Sequence, residues 1–218
     1  MTYELRLYED TPYADEQFYL SSDSPRALYV SAGAIIVNSE SKAQDEGLVS
    51  TTALNIRAGN EGATIWRWEI ESVDNPSDPI SIRSTLRLTG EIDLGSIGEE
   101  FLMRLDSVEF PPEGCALLHT HQGPGIRCLR EGSIRIDTLG QSSSYCPGGA
   151  WFENGSNHVF AQADLEKTSR FIRAMVLPQA LLGTSSIKYV NENDKHKPKS
   201  QSYRVFSETA INLVERNN

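Results

Sequence analysis

The sequence predicts an all-β protein with an internally repeated sheet unit, and three observations carry that expectation. Apolar residues seldom recur at the 3.6-residue spacing of an amphipathic helix. Short β-prone runs recur instead, bounded by Gly- and Pro-bearing turns: Ala27 to Val30, Ala34 to Val37, Ala63 to Ile70, Ile80 to Leu88, Phe101 to Phe110 and Arg170 to Leu177. The third observation is an internal echo. When Asp23 to Val37 is laid on Gln122 to Ile136, Pro25 falls on Pro124, Gly33 on Gly132 and Ile35 on Ile134, so the punctuation of turn and hairpin repeats.

In chain order, Thr2 to Tyr19 is mixed and polar, and reads as an irregular arm with a short strand. Ala27 to Val30 and Ala34 to Val37 flank a Gly turn at Ser31-Ala32-Gly33, and Ala58 to Gly62 leads into the strand Ala63 to Ile70. The same offset that aligns the prolines sets Leu20 and Ser22 where His119 and His121 stand, and the first half holds no histidine. The expectation is a duplicated barrel whose first copy lacks metal ligands. Asp74-Asn75-Pro76-Ser77-Asp78-Pro79, polar and twice interrupted by proline, reads as the linker. The expected units are residues 1–75, 80–178 and a C-terminal extension 179–218. In the extension, Asn191 to Ser202 reads as a solvated loop, and Tyr203 to Leu213 as an edge strand added to a barrel or to a partner subunit.

Composition narrows the classes of function. The 218 residues carry a formal net charge of −10, and acidic surfaces repel phosphate backbones and anionic lipid, which argues against nucleic-acid and membrane partners. The start lacks a basic and then apolar leader and no run of about 18 apolar residues occurs, so a cytoplasmic protein is expected. Cys115, Cys128 and Cys146 form neither a disulfide framework nor a Cys-x-x-Cys pair; they read as buried thiols, with Cys128 and Cys146 the candidates for lining a cavity.

The chemistry concentrates in Gly114 to Glu131. His119-Thr120-His121 sets two imidazoles on one face of a strand, because side chains at i and i+2 share a face. Gln122-Gly123-Pro124-Gly125 then reverses the chain, and Gly155-Ser156-Asn157-His158 brings a third histidine after Pro147-Gly148-Gly149 and Ala150-Trp151-Phe152. Three imidazoles in a facial arrangement suit first-row metals. If Gly125 points inward, alternation carries Arg127 and Leu129 inward too. A lined-up guanidinium then meets either an internal carboxylate such as Glu153 or the carboxylate of a substrate. Glu153 reads either as a replacement metal ligand or as a turn residue facing water.

Gly114, His119, His121 and Gly132, followed by Pro147, Gly148, Gly155 and His158, together resemble the two motifs of the cupin superfamily over roughly Val108 to Pro178. The resemblance implies a jelly-roll barrel, or double-stranded β-helix, with a metal in its mouth, and makes the duplicated chain a bicupin, often a homodimer. The family's usual Glu is missing, since its spacing lands on Gly125 or Ile126. Sites of three histidines without that Glu resemble the Fe(II) branches that cleave with oxygen. The expectation is a metal-dependent enzyme acting on a small organic acid. Its metal ligands would be His119, His121 and His158, with Arg127 and Glu153 as catalytic residues and Fe(II) as the metal ahead of Ni, Mn or Zn. Isomerase, lyase or hydrolase chemistry on a sugar or keto acid, and non-catalytic binding of a small ligand, are the alternatives.

Overall fold

A computed structural model describes residues 2–22, 24–74, 80–98 and 100–213 of the chain. Three antiparallel sheets hold its strands. The first contains β1 (Tyr3–Asp10), β2 (Gln17–Leu20), β3 (Arg26–Val37), β4 (Glu40–Ala43), β5 (Gly47–Ser50), β6 (Leu54–Ser72) and β7 (Ser84–Ile92). Their order is β4-β3-β6-β1-β7, with β2 on β6 and β5 on β3. The second sheet runs β13 (Ala150–Glu153), β10 (Gly125–Glu131), β15 (Ser169–Pro178), β8 (Phe101–Phe110), β17 (Ser202–Ile211). The third runs β12 (Gln141–Tyr145), β11 (Ile134–Thr138), β14 (Val159–Ala163), β9 (Cys115–His121), β16 (Ile187–Tyr189).

Three large cores follow from strand alternation, beside a small cluster of Leu102, Met175 and Leu177. Tyr3, Leu5, Leu7, Tyr29, Trp66, Trp68 and Ile70 on the first sheet meet Met103, Leu105, Ile126, Cys128, Ile172 and Val176 on the second. The opposite face of the first sheet folds over Phe18, Leu20, Leu28, Val30, Ile35 and Ile56. The second and third sheets close over Val108, Phe110, Leu129, Ile136, Trp151, Val159 and Phe171.

Two glycines that the echo aligns play the same part in the backbone. Gly33 and Gly132 sit at φ +72° and +74°, and a Cβ on either would lie 2.3 Å from a carbonyl oxygen, that of Gly62 or of Thr168. Only glycine fits such an approach. In the first half this glycine bends one continuous strand, β3, at a bulge and does not end it, so the two runs expected on either side of a turn are one twelve-residue strand. The expected irregular arm is also regular. Tyr3, Leu5 and Leu7 alternate with polar residues, and β1 pairs with both β6 and the edge strand β7.

From Asn75 on, the expected linker lies outside the described residues. The strand after it, β7, hydrogen-bonds β1 and thus extends the N-terminal sheet, although it falls within the span 80–178 expected for the second barrel. At the C-terminal end β17 joins β8, the barrel alternative for that edge strand. Arg104 fastens the extension: its Nε donates to Glu208 at 2.7 Å, and its Nη atoms donate to the carbonyls of Thr184 and Leu181 at 2.8 and 2.6 Å. Among the described residues, no helix is long and apolar enough to cross a membrane.

Candidate functional site

A cavity of about 70 Å³ opens inside the C-terminal barrel, lined by His119, His121, Arg127, Trp151, Glu153 and Arg173, with Tyr203 of the extension at its side. The strand register explains who faces it. On β10, Arg127 and Leu129 point into the barrel while Ile126 and Cys128 face the core between the sheets. On β13, Trp151 and Glu153 point in and Phe152 packs outward. Cys128 is therefore no cavity residue, and burial pushes its thiol up to about 12. Cys146 is exposed and does not line the cavity either.

Gly125 pairs with Glu153 across β10 and β13. A Cβ at 125 would stand 2.6 Å from the Ala174 carbonyl oxygen and 3.2 Å from Arg127 Nη1, so no side chain fits there. The carboxylate arrives from the neighbouring strand instead. Glu153 is buried, its Oε1 accepts from Trp151 Nε1 at 2.8 Å, and its Oε2 lies 2.8 Å from Arg127 Nη2 and 3.7 Å from His121 Nε2. Of the two partners open to Arg127, the internal carboxylate is the one it meets. The Arg127–Glu153 contact is held by charge: neither Nη2 nor Oε2 completes a hydrogen bond, so both keep unspent capacity. Arg127 Nη1 donates to the Gly125 carbonyl at 2.6 Å.

Behind Arg127 lies Arg173, its β15 partner, which grips Asp106 of β8 through Nε and Nη2 at 2.7 and 3.0 Å. Burial pulls the Arg127 guanidinium down to about 10, and Glu153, the main opposing influence, does not restore it. The imidazoles follow the same logic. Burial lowers His119, with Glu153 and the Leu117 carbonyl opposing and the arginines reinforcing; burial and then Arg127 and Arg173 hold His121 well below 6.5. Both rings are neutral near pH 7. His119 Nδ1 donates to the Leu117 carbonyl at 2.8 Å, which leaves its Nε2 as the free ring nitrogen, and His121 Nδ1 lies 3.2 Å from Ser186 Oγ.

His158 does not join them. Val159 is the residue opposite His119 across β14 and β9, and it takes the inward slot with 2 % exposure; alternation leaves His158 outside the barrel, exposed. The three-histidine set expected from the spacing is not assembled. Among the described residues, no group of three His, Cys, Asp or Glu side chains is arranged to hold a metal. Glu153 does not complete the set as it stands, because its free oxygen faces a guanidinium. The residues present thus do not fit the metal that the sequence motifs imply.

Several cavity residues escaped the motif reading. Arg173 and Asp106 announce themselves only as charges inside the apolar runs Phe171 to Leu177 and Phe101 to Phe110, where a lone charge needs a partner. Ser185, Ser186 and Tyr203 come from the extension, which packs there through β16 and β17.

This fold, with its cavity in the C-terminal barrel, is shared with cupin barrels of known structure. A deletion mutant of oxalate decarboxylase from Bacillus subtilis superposes with TM-score 0.59 at 10% identity, covering 88% of this chain and 73% of that one. Salicylate 1,2-dioxygenase from Pseudaminobacter salicylatoxidans gives 0.55 at 10% identity, covering 92% and 74%. A cupin 2 conserved barrel domain protein from Leptotrichia buccalis gives 0.50 at 10% identity, covering 80% and 84%. Neither a protein-family model nor a curated protein sequence matches the chain.

Proposed function

We propose that the C-terminal barrel binds a small organic acid, with Arg127 receiving its carboxylate. One observation carries this reading: Arg127 is a fully buried cation whose Nη2 completes no hydrogen bond, beside a single carboxylate that leaves its charge under-compensated. A second anion offers a charge-assisted hydrogen bond to that unspent donor. The cavity is small, and its walls include Phe110, Trp151 and Phe171 beside the charged residues, which favours a small acid. Two similarly folded proteins are named for acids, oxalate and salicylate, in agreement with this choice.

The chain's own chemistry toward a bound acid is proton transfer. His119 and His121 are neutral, the His119 Nε2 is the free nitrogen of its ring, and Glu153 Oε2 stands 3.7 Å from His121 Nε2. A positioned base contributes typically about 10²–10⁴-fold when its pKa lies near the working pH, and the lowered pKa of both imidazoles, most of all of His121, makes them weaker bases than that. An Fe(II) dioxygenase, or an isomerase or lyase in which a metal polarises a carbonyl, asks for a third donor that these side chains do not offer. The reading therefore uses imidazole and guanidinium alone.

A panel of two- to five-carbon acids and their amides, screened by thermal shift, tests it. Acids should stabilise the wild type and their amides should not, and Arg127→Lys should weaken acid binding about 10- to 100-fold, the worth of one charged hydrogen bond. Equal shifts for acid and amide in the wild type would reject the reading.

A further inference from the structure

We infer that the acid taken by the C-terminal barrel is a short monocarboxylate with a hydrocarbon body, its carboxylate on Arg127 and its chain laid along the next row of side chains. This rests on the binding of an acid at Arg127 and goes further in naming its class. The strand register carries it. Across β10, β15 and β8, Arg127, Arg173 and Asp106 are cross-strand neighbours, and the row two residues away on the same strands is Leu129, Phe171 and Val108. Side chains two apart share a face, so both rows point into the barrel, one charged and one apolar. The facing sheet makes the same change. His119 stands opposite Val159, and the next pair along β9 and β14 is Ala116 and Ala161, with Ile136 beside Ala161.

The charged row has room for one carboxylate. Among the described residues of the lining there are two arginines, and Arg173 is spent, because Asp106 takes its Nε and Nη2 at 2.7 and 3.0 Å. Arg127 keeps an open donor at Nη2. A second carboxylate on the ligand would find no cation there and would be repelled by Glu153, and an uncompensated charge is what a barrel interior tolerates least. Ser185, Gln201 and Tyr203, which the extension adds to the wall, bring no cation either. The apolar row gives Val108, Ala116, Ile136, Ala161 and Phe171 to the same lining, with the Trp151 ring edge-on to Phe171 at 5.2 Å. A methylene set against that wall leaves water at a gain, whereas a charged chain would give up its hydration there without return.

Isothermal titration calorimetry of the full-length wild type with acetate, propionate, butyrate, butyramide and succinate tests the inference. Affinity should rise from acetate to butyrate by about fourfold per added methylene, the worth of one buried CH₂. The heat-capacity change of binding should grow more negative along the same series. Succinate matches butyrate in carbon number and adds a second charge, so it should bind at least about 100-fold more weakly. Val108→Thr, which sets a hydroxyl into the apolar row at nearly the same shape, should weaken butyrate and leave acetate as it was; the wild-type series decides the matter if that variant does not fold. An affinity that is flat in chain length, or succinate bound as tightly as butyrate, overturns the inference while leaving the acid reading in place. Failure of all three monocarboxylates to bind overturns it as well. Butyramide bound as tightly as butyrate rejects the acid reading itself, and this inference with it.

Discussion

In the N-terminal half Arg67 is held by both oxygens of Asp10, at 2.6 and 3.2 Å, and by Glu69, while in the C-terminal half Arg127 has Glu153 alone. The repeat makes the comparison direct. Leu28 pairs with Arg67, and Arg127, which stands at the place of Leu28 in the repeat, pairs with Arg173; Arg67 and Arg173 are therefore counterparts, and each grips an aspartate with two nitrogens. What differs is the neighbouring pair. The first half sets Arg26 against Glu69, joined at 2.8 Å, and the second half sets Gly125 against Met175. Loss of the side chain at that place makes the room that the Arg127 guanidinium enters.

The consequence is a difference in charge balance. Burial works against Arg67, but Asp10 and Glu69 outweigh it and raise its pKa above the ordinary value; burial wins at Arg127, which falls to about 10. The first network is closed: Arg26, Arg67, Glu69 and Asp10 satisfy one another, and Ser84 adds a bond to Arg67. The second is left open at Arg127 Nη2 and Glu153 Oε2. A saturated ionic core leaves no buried charge uncompensated, and an unsaturated one beside a cavity marks a candidate ligand site.

The largest expected effect is in the closed network. Arg67→Met should destabilise the chain by about 3–5 kcal/mol, since it leaves Asp10 and Glu69 buried without their cation. Arg127→Met should cost less, about 1.5–3 kcal/mol, the worth of one charge-assisted contact. Urea denaturation of both variants measures the difference, and the reverse order would break the comparison.

A smaller effect follows from pH. The imidazoles titrate near 6.5 in the unfolded chain and lower in the folded one, mainly through burial and, for His121, next through the arginines. Between those values the unfolded chain binds more protons, so stability is unaffected above about pH 6.5 and falls as the pH drops below it. The slope is at most about 1.4 kcal/mol per pH unit for each ring. Urea titrations from about pH 7.5 to 5.5 should show this loss in the wild type and much less of it in His119→Gln/His121→Gln. An equal loss in both proteins would show that other groups govern the acid limb.

The fold was legible in the sequence because turn punctuation survives where side chains diverge: Gly33 and Gly132 make the same close approach to a carbonyl, so their spacing had to persist. His119, His121 and Arg127 were legible by alternation along β9 and β10. His158 was misread because Gly-x-x-His counts residues, whereas the inward slot depends on the β14–β9 register, which Val159 holds. The ionic core of the first half was visible only as Arg67, Glu69 and Glu71 alternating with Trp66, Trp68 and Ile70. Which of those two faces is buried depends on the sheet packed against it, and here both are.

The difference between the two networks is tested most directly by the guanidinium ¹⁵N resonances of the arginines, followed while the strongest acid from the panel is added. The account predicts that the Arg127 signals shift and sharpen, that those of Arg173 follow weakly, and that Arg26 and Arg67 stay where they are. Movement of Arg26 and Arg67 with Arg127 unmoved would contradict it.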